Sequence, residues 1–485
     1  MSRPAYDKDQ TGQNASFKEP DASSAIGSLF DPVEELSTLP MPDDGIDGEF
    51  SPDNDVITKP ALKKGELVGS WIVALGILIF GICLFMAPGF MYRMILDLSV
   101  LALLAYGIIN LVIFLLYGKH GRSKIVYGLM ALAFGIVLMF NRLLPEWIIR
   151  VVFDLYCFGV GSAMFIQILI SRRDGNPVKV SLVLFSVAYL ILGIVLLGTR
   201  MVTTTILIEI FGIYFCMLGI RFTIDLLERS NQEYHWKRSL HISLPTLLAT
   251  LMPDFVLSKI SQVTSSGNDY PLQAYKRKEP VKLKAMVHIG PEGFQKVGHF
   301  TFSWKGIVYS YGNYDTDSER FFSLIGDGVF FTVPSELYLP NIVKYENNTI
   351  FEYSIQTTPE QDKQIEQALA ELKSRSYRWY SKLERTAFTG LGELESDYPS
   401  RLHYRTGAKF YKIRNGCFKT YWVAGENCVQ FADVILGTIG ADVLSLRGIV
   451  TPGAYFDYLD SEYLKDNSPI IERRIFSAAA KREGI

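Results

Sequence analysis

The sequence predicts a protein of two unlike parts: a bundle of six transmembrane helices made of three hairpin repeats, followed by a soluble α+β domain. Six apolar runs lie between about residues 66 and 228, and several of them reach the ~20 residues that a helix needs to cross a bilayer. From Val281 onward, short alternating segments typical of β-strands replace these runs. The formal net charge of -2 excludes the strongly basic character of a nucleic-acid-binding protein.

Composition divides the chain into five predicted segments. Residues 1–64 are acidic and rich in Pro, Ser, Asp and Gly, and we expect disorder there because the segment can bury little apolar surface. The segment after the apolar runs is itself apolar but interrupted by Pro245 and Pro253, so we expect its helical part to lie on the membrane surface. In chain order, the segments after residue 64 are the six-span domain (65–230), the interfacial segment with a linker (231–280), the soluble domain (281–460) and a C-terminal tail (461–485).

Flanking charge predicts how the apolar runs cross the membrane. Lysines and arginines precede the first run, lie between the second and third and between the fourth and fifth, and follow the sixth. Because positive charge marks cytoplasmic loops, we expect both termini to be cytoplasmic, in an inner or plasma membrane. The third run is the shortest. The six runs are Leu67–Met86, Leu98–Tyr117, Ile125–Phe140, Trp147–Ile170, Val180–Leu197 and Thr203–Leu227.

The membrane part contains three similar hairpins. Residues 76–85, 132–140 and 190–197 are similar first helices, and each second helix carries an acidic residue near its start. Small residues along these helices allow close helix contact and also permit a homo-oligomer. This pattern of repeats and hydropathy, over about residues 66–260, resembles the six-span acid-resistance membrane family typified by the bacterial protein HdeD.

The three acidic residues, Asp97, Asp154 and Glu209, have two interpretations. Ionisable groups inside membranes often form a transport path. Their position near the helix starts also fits side chains at the interface that cap a helix or pair with a nearby arginine.

The soluble part contains alternating apolar and polar segments, typical of strands, as well as a helical pattern, and it is therefore predicted to be an α+β domain. A Lys305-Gly306 pair between two alternating runs predicts a β-hairpin. Thr358-Pro359-Glu360 predicts a helix start with proline at the first helical position. The predicted strands are Val281–Ile289, Val297–Trp304, Ile307–Tyr311, Val329–Val333 and Ile350–Thr357.

Cys428 is the most informative residue of the soluble part. It follows Asn427, a residue suited to the N-cap, and begins a predicted helix that stops at Gly437. Unpaired N–H groups and the helix dipole at such a position favour thiolate, the nucleophilic form of cysteine. Upstream, His299 lies in a strand-like run. Thiol acyl transfer requires at least a cysteine nucleophile and a histidine base, and here the cysteine begins a helix and the histidine lies on a distant strand.

The order of these motifs resembles the circularly permuted papain-like superfamily, which includes relatives of NlpC/P60 peptidases and of lecithin retinol acyltransferase. The resemblance covers about residues 281–440 and implies a permuted papain-like fold with Cys428 as nucleophile and His299 as base. The family's third polar group lies on the next strand. If Lys305-Gly306 is a two-residue turn, Ser310 shares a sheet face with His299 and lies diagonally across the hairpin. Many relatives have a histidine or a carboxamide there. Alternatives just beyond the strand end are Asn313 and Asp315.

Other interpretations of the single residues stay open. Free cysteines are often small buried hydrophobic residues without chemistry. His288 also lies in a strand-like run and competes with His299 for the role of base. No Cys/His cluster has the spacing of a metal site, so neither a metal nor another cofactor is expected.

Three functions follow from these observations. The first is a membrane-anchored cytoplasmic cysteine hydrolase or acyltransferase, which forms an acyl-enzyme with an amide or ester of a lipid or membrane-associated substrate. The second is a non-catalytic stress-response membrane protein whose papain-like domain is a binding module. The third is a transporter that uses the three intramembrane carboxylates. All three place the protein in a lipid bilayer, and none involves nucleic acid.

Overall fold

The computed structural model describes residues 64–117, 122–141, 143–198, 203–228, 281–290, 298–385, 396–437, 451–465 and 468–476. The predicted disordered segment, apart from its last residue, and the predicted interfacial segment and linker lie outside the described residues.

Every predicted apolar run lies in a helix, and five of the six helices are long and apolar enough to cross a membrane. The exception is the fifth, whose apolar stretch Val180–Leu196 is shorter. The helix that contains the third run, the shortest in the sequence, begins before that run and is therefore long enough to cross a membrane. The helices are α1 (Lys64–Met86), α2 (Pro88–Tyr117), α3 (Arg122–Phe140), α4 (Leu143–Arg173), α5 (Val180–Gly198) and α6 (Thr204–Glu228).

The six helices pack closely in pairs that join neighbouring repeats. Helix α2 packs on α3, α4 packs on α5, and α6 packs on α1. In each pair, the second helix of one hairpin meets the first helix of the next. The α6–α1 pair closes the series into a ring. The hairpins are therefore the repeats of the sequence, whereas the closely packed helix pairs join one hairpin to the next.

Glycines lie where the paired helices approach most closely. A Cβ atom on Gly81 of α1 would lie 2.5 Å from the backbone nitrogen of Cys216 in α6. A Cβ on Gly107 of α2 would lie 2.6 Å from Leu132 of α3, and a Cβ on Gly161 of α4 would lie 2.9 Å from a side chain of α5. These separations leave no room for a larger side chain, so the small residues permit the contacts that the sequence predicted.

The soluble domain is built on an eight-stranded antiparallel sheet in the order β10-β6-β1-β2-β3-β5-β8-β7, with a two-stranded β4–β9 ribbon beside it. The predicted hairpin forms between β2 and β3, where Lys305 and Gly306 both have positive φ and Trp304 pairs with Ile307. The strands are β1 (Leu283–Ile289), β2 (His299–Trp304), β3 (Ile307–Gly312), β4 (Ile325–Asp327), β5 (Val329–Pro334), β6 (Thr349–Ile355), β7 (Ser376–Trp379), β8 (Lys409–Ile413), β9 (Thr420–Trp422) and β10 (Ile470–Phe476).

Helices cover both faces of the sheet. One face, which carries Phe300 and Phe302, packs against α8, α11 and α12, and we call it the α11 face. The opposite face, which carries Val308 and Phe331, packs against α7 and α10, and we call it the α7 face. The helices are α7 (Ser335–Lys344), α8 (Pro359–Ser374), the short α9 (Lys382–Arg385), α10 (Tyr398–Thr406), α11 (Cys428–Leu436) and α12 (Pro452–Tyr463).

The C-terminal segment belongs to this domain. Residues 461–485 were predicted to be a tail, but α12 extends to Tyr463 and Ile470–Phe476 forms the edge strand β10 beside β6. Alternation in this strand is weak because Arg473 and Arg474 occupy adjacent positions. Its pairing with β6, and not a local pattern, makes it a strand.

The soluble domain contacts the membrane helices through one buried and one partly buried ion pair. Arg221 of α6 bonds to Asp457 of α12 at 2.7 Å, and Lys465, just after α12, bonds to Glu228 at the end of α6 at 2.7 Å. Both contacts lie near the C-terminal end of α6. Removal of one partner from such a pair leaves a buried charge without compensation, so these contacts help to fix the orientation of the two parts.

We predict that Gly81→Ala lowers the free energy of unfolding of the detergent-solubilised protein by about 1–3 kcal/mol, because the new methyl group forces α1 and α6 apart. The thermal unfolding midpoint should fall accordingly. Gly76→Ala is the matched control in the same helix, since a Cβ there meets nothing within 4 Å. The measurement is the thermal unfolding midpoint followed by circular dichroism. Equal midpoints for the two variants would contradict the close α1–α6 contact.

Candidate active site

Cys428 is the first residue of α11, as the sequence predicted. The Asn427 side chain caps this helix and accepts hydrogen bonds from the Val429 and Gln430 N–H groups, both at 3.0 Å. The helix ends before Gly437. The apolar side of α11 packs on the sheet, and this packing fixes the position of the cysteine at the edge of the domain core.

Burial opposes the thiolate that the helix start favours at this position. Burial raises the pKa of Cys428 to about 11, although the backbone N–H groups of Phe300, Val429 and Cys428 itself act to lower the pKa. The side chain is only 5% exposed, so loss of hydration outweighs the helix N-terminus. The resting cysteine is therefore a neutral thiol.

His299, at the start of β2, lies in a compact polar group with two hydroxyls. Its Nε2 is 2.8 Å from Ser310 Oγ and 3.1 Å from the Tyr314 hydroxyl, and these two hydroxyls are 2.8 Å apart. Thr301 pairs with Ser310 across the hairpin, so His299 and Ser310 are diagonal neighbours on the α7 face. His299 and Ser310, two of the three predicted site residues, are thus in contact.

The surroundings keep this imidazole neutral. Burial lowers the pKa of His299 to about 4, so the ring carries no charge at neutral pH. If Nε2 bears the proton and donates it to Ser310, the lone pair lies on Nδ1, which forms no hydrogen bond within the described part of the chain. An imidazole in this tautomer can accept a proton at Nδ1.

Cys428 and His299 approach the end of β2 from opposite sides of the sheet. The cysteine packs on the α11 face with Phe300, whereas the His299 ring lies 5.9 Å from the His288 ring on the α7 face. The Phe300 N–H, one residue from His299, faces the sulfur. Among the described residues, no hydrogen bond joins Cys428 to His299.

The competing histidine and the alternative third residues have other partners. His288 Nε2 lies 2.8 Å from Thr301 Oγ1 in the buried interior, and burial lowers the pKa of His288. Asn313 donates to the Ser323 carbonyl, and Asp315 binds Lys412 at 2.6 Å. None of these three contacts involves Cys428.

Tyr314 is a polar neighbour of His299 that was not predicted from the sequence. The predicted alternatives, Asn313 and Asp315, lie on either side of it in the sequence. The period of two along β3 contains a signal for Tyr314. Continued past the strand through Gly312, it places Tyr314 on the same face as Ser310.

Glu426, just before the N-cap, joins the candidate site to the membrane part. Its Oε1 accepts hydrogen bonds from Gln167 of α4 at 3.3 Å and from Asn176 at 3.4 Å, and its other oxygen accepts the Phe418 N–H. Burial and the nearby Asp174 carboxylate raise the pKa of Glu426 to about 7. A membrane helix therefore holds the segment that leads into α11.

The three carboxylates of the membrane part occupy different environments. Asp97 is exposed and Glu209 is half-buried. Asp154 is buried, and its Oδ1 has no hydrogen-bond partner within the described residues. Across the described ranges, no group of three or more His, Cys, Asp or Glu residues could hold a metal ion.

Comparison with known proteins gave one match. A family described as a short repeat of unknown function (DUF308) matches residues 184–251, a range that includes most of α5 and all of α6. DUF308 is the domain of the HdeD-like membrane family, so this match and the apolar helices support that resemblance and indicate a multi-pass membrane protein. No curated protein and no solved structure matches the chain.

We predict that Cys428 reacts slowly with iodoacetamide at pH 7 and gains reactivity up to about pH 11, because burial raises its pKa to about 11 and only the thiolate reacts. The measurement is alkylation of the solubilised protein at several pH values, read by peptide mass spectrometry. The exposed Cys417 is the internal control, and cleavage after Lys419 separates the two thiols. Fast labelling of Cys428 at about pH 6 would contradict the neutral resting thiol.

Proposed function

We propose that this protein is a membrane-anchored cysteine hydrolase or acyltransferase, in which Cys428 attacks an amide or ester carbonyl, His299 takes the thiol proton and Ser310 orients the imidazole. The proposal includes six membrane spans, a permuted papain-like fold for the soluble domain and cytoplasmic termini. The observation that carries it is the Ser310–His299 hydrogen bond at 2.8 Å, together with Cys428 at the start of a capped helix on the other side of the same sheet.

The contacts of His299 support the division of roles. Ser310 and Tyr314 hold Nε2, so the ring is oriented through one nitrogen and Nδ1 is available for the thiol. Both partners rest in their neutral forms, and proton transfer to Nδ1 must accompany attack by the sulfur. Because the two side chains lie on opposite sides of the sheet, the proposed reaction requires the Cys428 side chain to move towards Nδ1.

The oxyanion of the tetrahedral intermediate has suitable donors. The backbone N–H groups of Phe300, Val429 and Cys428 point towards the sulfur, and fixed N–H groups of this kind stabilise developing negative charge. The acyl group then passes to water or to another acceptor.

The attachment to membrane helices supports a lipid or membrane-associated substrate. Gln167 of α4 binds Glu426, two residues before the cysteine, so the candidate site is held close to the membrane part. A catalytic group held at a surface meets membrane-bound molecules at high effective concentration. Esters, thioesters and amides of lipids are the substrates that we propose to screen.

We predict that a lipid thioester leaves an acyl adduct on Cys428, detected by intact-protein mass spectrometry in nanodiscs, and that Cys428→Ser forms no such thioester adduct. Ser310→Ala should lower kcat about 10- to 100-fold with little change in KM, because the serine orients the imidazole and does not bind substrate.

Thr301→Val is the matched control on the same hairpin, since Thr301 bonds to His288 and not to His299. A substrate screen without any Cys428 adduct would favour the binding-module function. Activity that survives Cys428→Ser but disappears when Asp97, Asp154 and Glu209 are neutralised would favour transport.

A further inference from the structure

Glu426 carries a buried carboxyl group at the contact between the soluble domain and the end of a membrane helix. The residue is 5% exposed. Its Oε1 accepts hydrogen bonds from Gln167 of α4 at 3.3 Å and from Asn176, just after α4, at 3.4 Å. Its Oε2 accepts the Phe418 N–H in the turn before β9. One carboxyl group therefore joins two parts of the soluble chain to the membrane part.

A second buried carboxyl group, that of Asp174, lies beside Glu426 and repels its negative charge. Asp174 is 3% exposed, and neither of its side-chain oxygens accepts a hydrogen bond from the described residues. Its ion pair with Arg173 is long, at 3.9 Å, and the arginine side chain is 54% exposed. Two buried negative charges with so little compensation are unfavourable.

The cluster also has more hydrogen-bond acceptors than donors. Gln167 Oε1, like both side-chain oxygens of Asp174, is buried without a partner among the described residues. A Cβ atom on Gly425 would lie 1.8 Å from this oxygen, so the oxygen lies against the residue next to Glu426. A neutral carboxyl group supplies one O–H donor, whereas a carboxylate supplies none. A proton on Glu426 would therefore both remove a buried charge and supply a missing donor.

We propose that Glu426 is a proton-binding site that holds residues 416–426, which we call the docking ribbon, on the end of α4. The neutral carboxyl group donates to an oxygen of Asp174 or Gln167, and ionisation returns the proton to water and places a second charge beside Asp174. The start of the docking ribbon is held at the same place, because the Gly416 N–H bonds to the Asp174 carbonyl at 3.0 Å. Protonation thus favours the closed contact, and ionisation favours its opening.

The contact is strongest at low pH. Burial and then the Asp174 charge raise the pKa of Glu426 from 4.5 to about 7, although the Phe418 N–H and Gln167 act to lower it. An acid whose pKa is raised by a contact binds its proton more tightly within that contact. The stabilisation is therefore fully present below the ordinary pKa of 4.5 and is lost as the pH rises through about 7.

The other titratable groups around the docking ribbon keep their charge near neutral pH. Cys417 interacts with Glu426 and with two cations, Arg375 and Lys179, and burial raises the pKa of the thiol. Tyr311 also interacts with Glu426, and burial raises the pKa of its hydroxyl. Both groups therefore stay neutral, and arginine and lysine stay protonated. A change of this contact near pH 7 follows from Glu426.

The docking ribbon leads directly to the candidate nucleophile. Glu426 precedes Asn427, whose side chain caps α11, and Cys428 begins that helix. A docking ribbon held on α4 would keep the start of α11 in place, whereas its opening would free the cysteine segment to move. This consequence rests on the proposed function; the proton-dependent contact does not.

The test is hydrogen–deuterium exchange of the full-length protein in nanodiscs, read by peptide mass spectrometry and corrected for the intrinsic exchange rate at each pH. The reporters are amides of the docking ribbon, including the Gly416 N–H, bonded to the Asp174 carbonyl, and the Phe418 N–H, bonded to Glu426. We expect their protection to fall about tenfold between about pH 6 and about pH 8, because the proton stabilises the closed contact only below its raised pKa.

Glu426→Gln cannot ionise, so we expect this variant to have equal protection at both pH values. The matched control is Glu371→Gln, which removes a carboxylate that is 70% exposed beside Arg375 and should leave the tenfold fall unchanged. Asp174→Asn tests the same site from the membrane side: without the repelling charge the pKa of Glu426 falls, so protection should be lost at a lower pH than in the parent protein.

Equal protection of the parent protein at both pH values would overturn the proposal. So would a fall in Glu426→Gln as large as that of the parent protein, or an Asp174→Asn variant that loses protection at the parent's pH. None of these measurements involves thiol chemistry, so the proposed function can fail while the proton-binding site stands, and the reverse.

Discussion

The Lys305–Gly306 turn fixes the register of the β2–β3 hairpin, and the positions of the candidate site residues depend on that register. Both residues have positive φ, which suits a two-residue connection between twisted strands. Because successive side chains point to opposite faces, a slip of one residue would move Ser310 away from His299 and into the core of the α11 face. The same alternation places Phe300 and Phe302 under α11. A short turn thus separates the polar group from the apolar layer that supports the cysteine.

Burial and backbone donors compete at Cys428, and burial dominates. The Cys428 side chain is almost enclosed, and the lost hydration disfavours the thiolate more than the helix N-terminus favours it. His299 is kept neutral by the same effect. In the proposed reaction, charge would develop only during attack, unlike in a preformed thiolate–imidazolium pair. A buried neutral thiol is also protected from oxidation and from unspecific alkylation.

Local patterns in the sequence predicted the elements, and long-range packing decided how they combine. The apolar runs, the alternating strands, the Thr358 capping box and the Asn427 cap are each specified by residues within a few positions of one another. The pairing of α6 with α1 joins the two ends of the membrane part and leaves no local signal. The same holds for β10, whose neighbour β6 lies far away in sequence. The burial of Cys428 could not be predicted because the helix start is visible in the sequence, whereas the enclosing side chains are not.

The ring of helix pairs has a consequence for how such a protein can be shortened or assembled. Each hairpin has two complementary sides: its first helix fits the preceding hairpin and its second helix fits the following one. Within one chain, three hairpins satisfy all of these sides. A polypeptide with a single hairpin would leave both sides open, and three copies would be needed to close the same ring through head-to-tail interfaces. Because the three hairpins are joined in one chain, the soluble domain meets one copy of each docking surface.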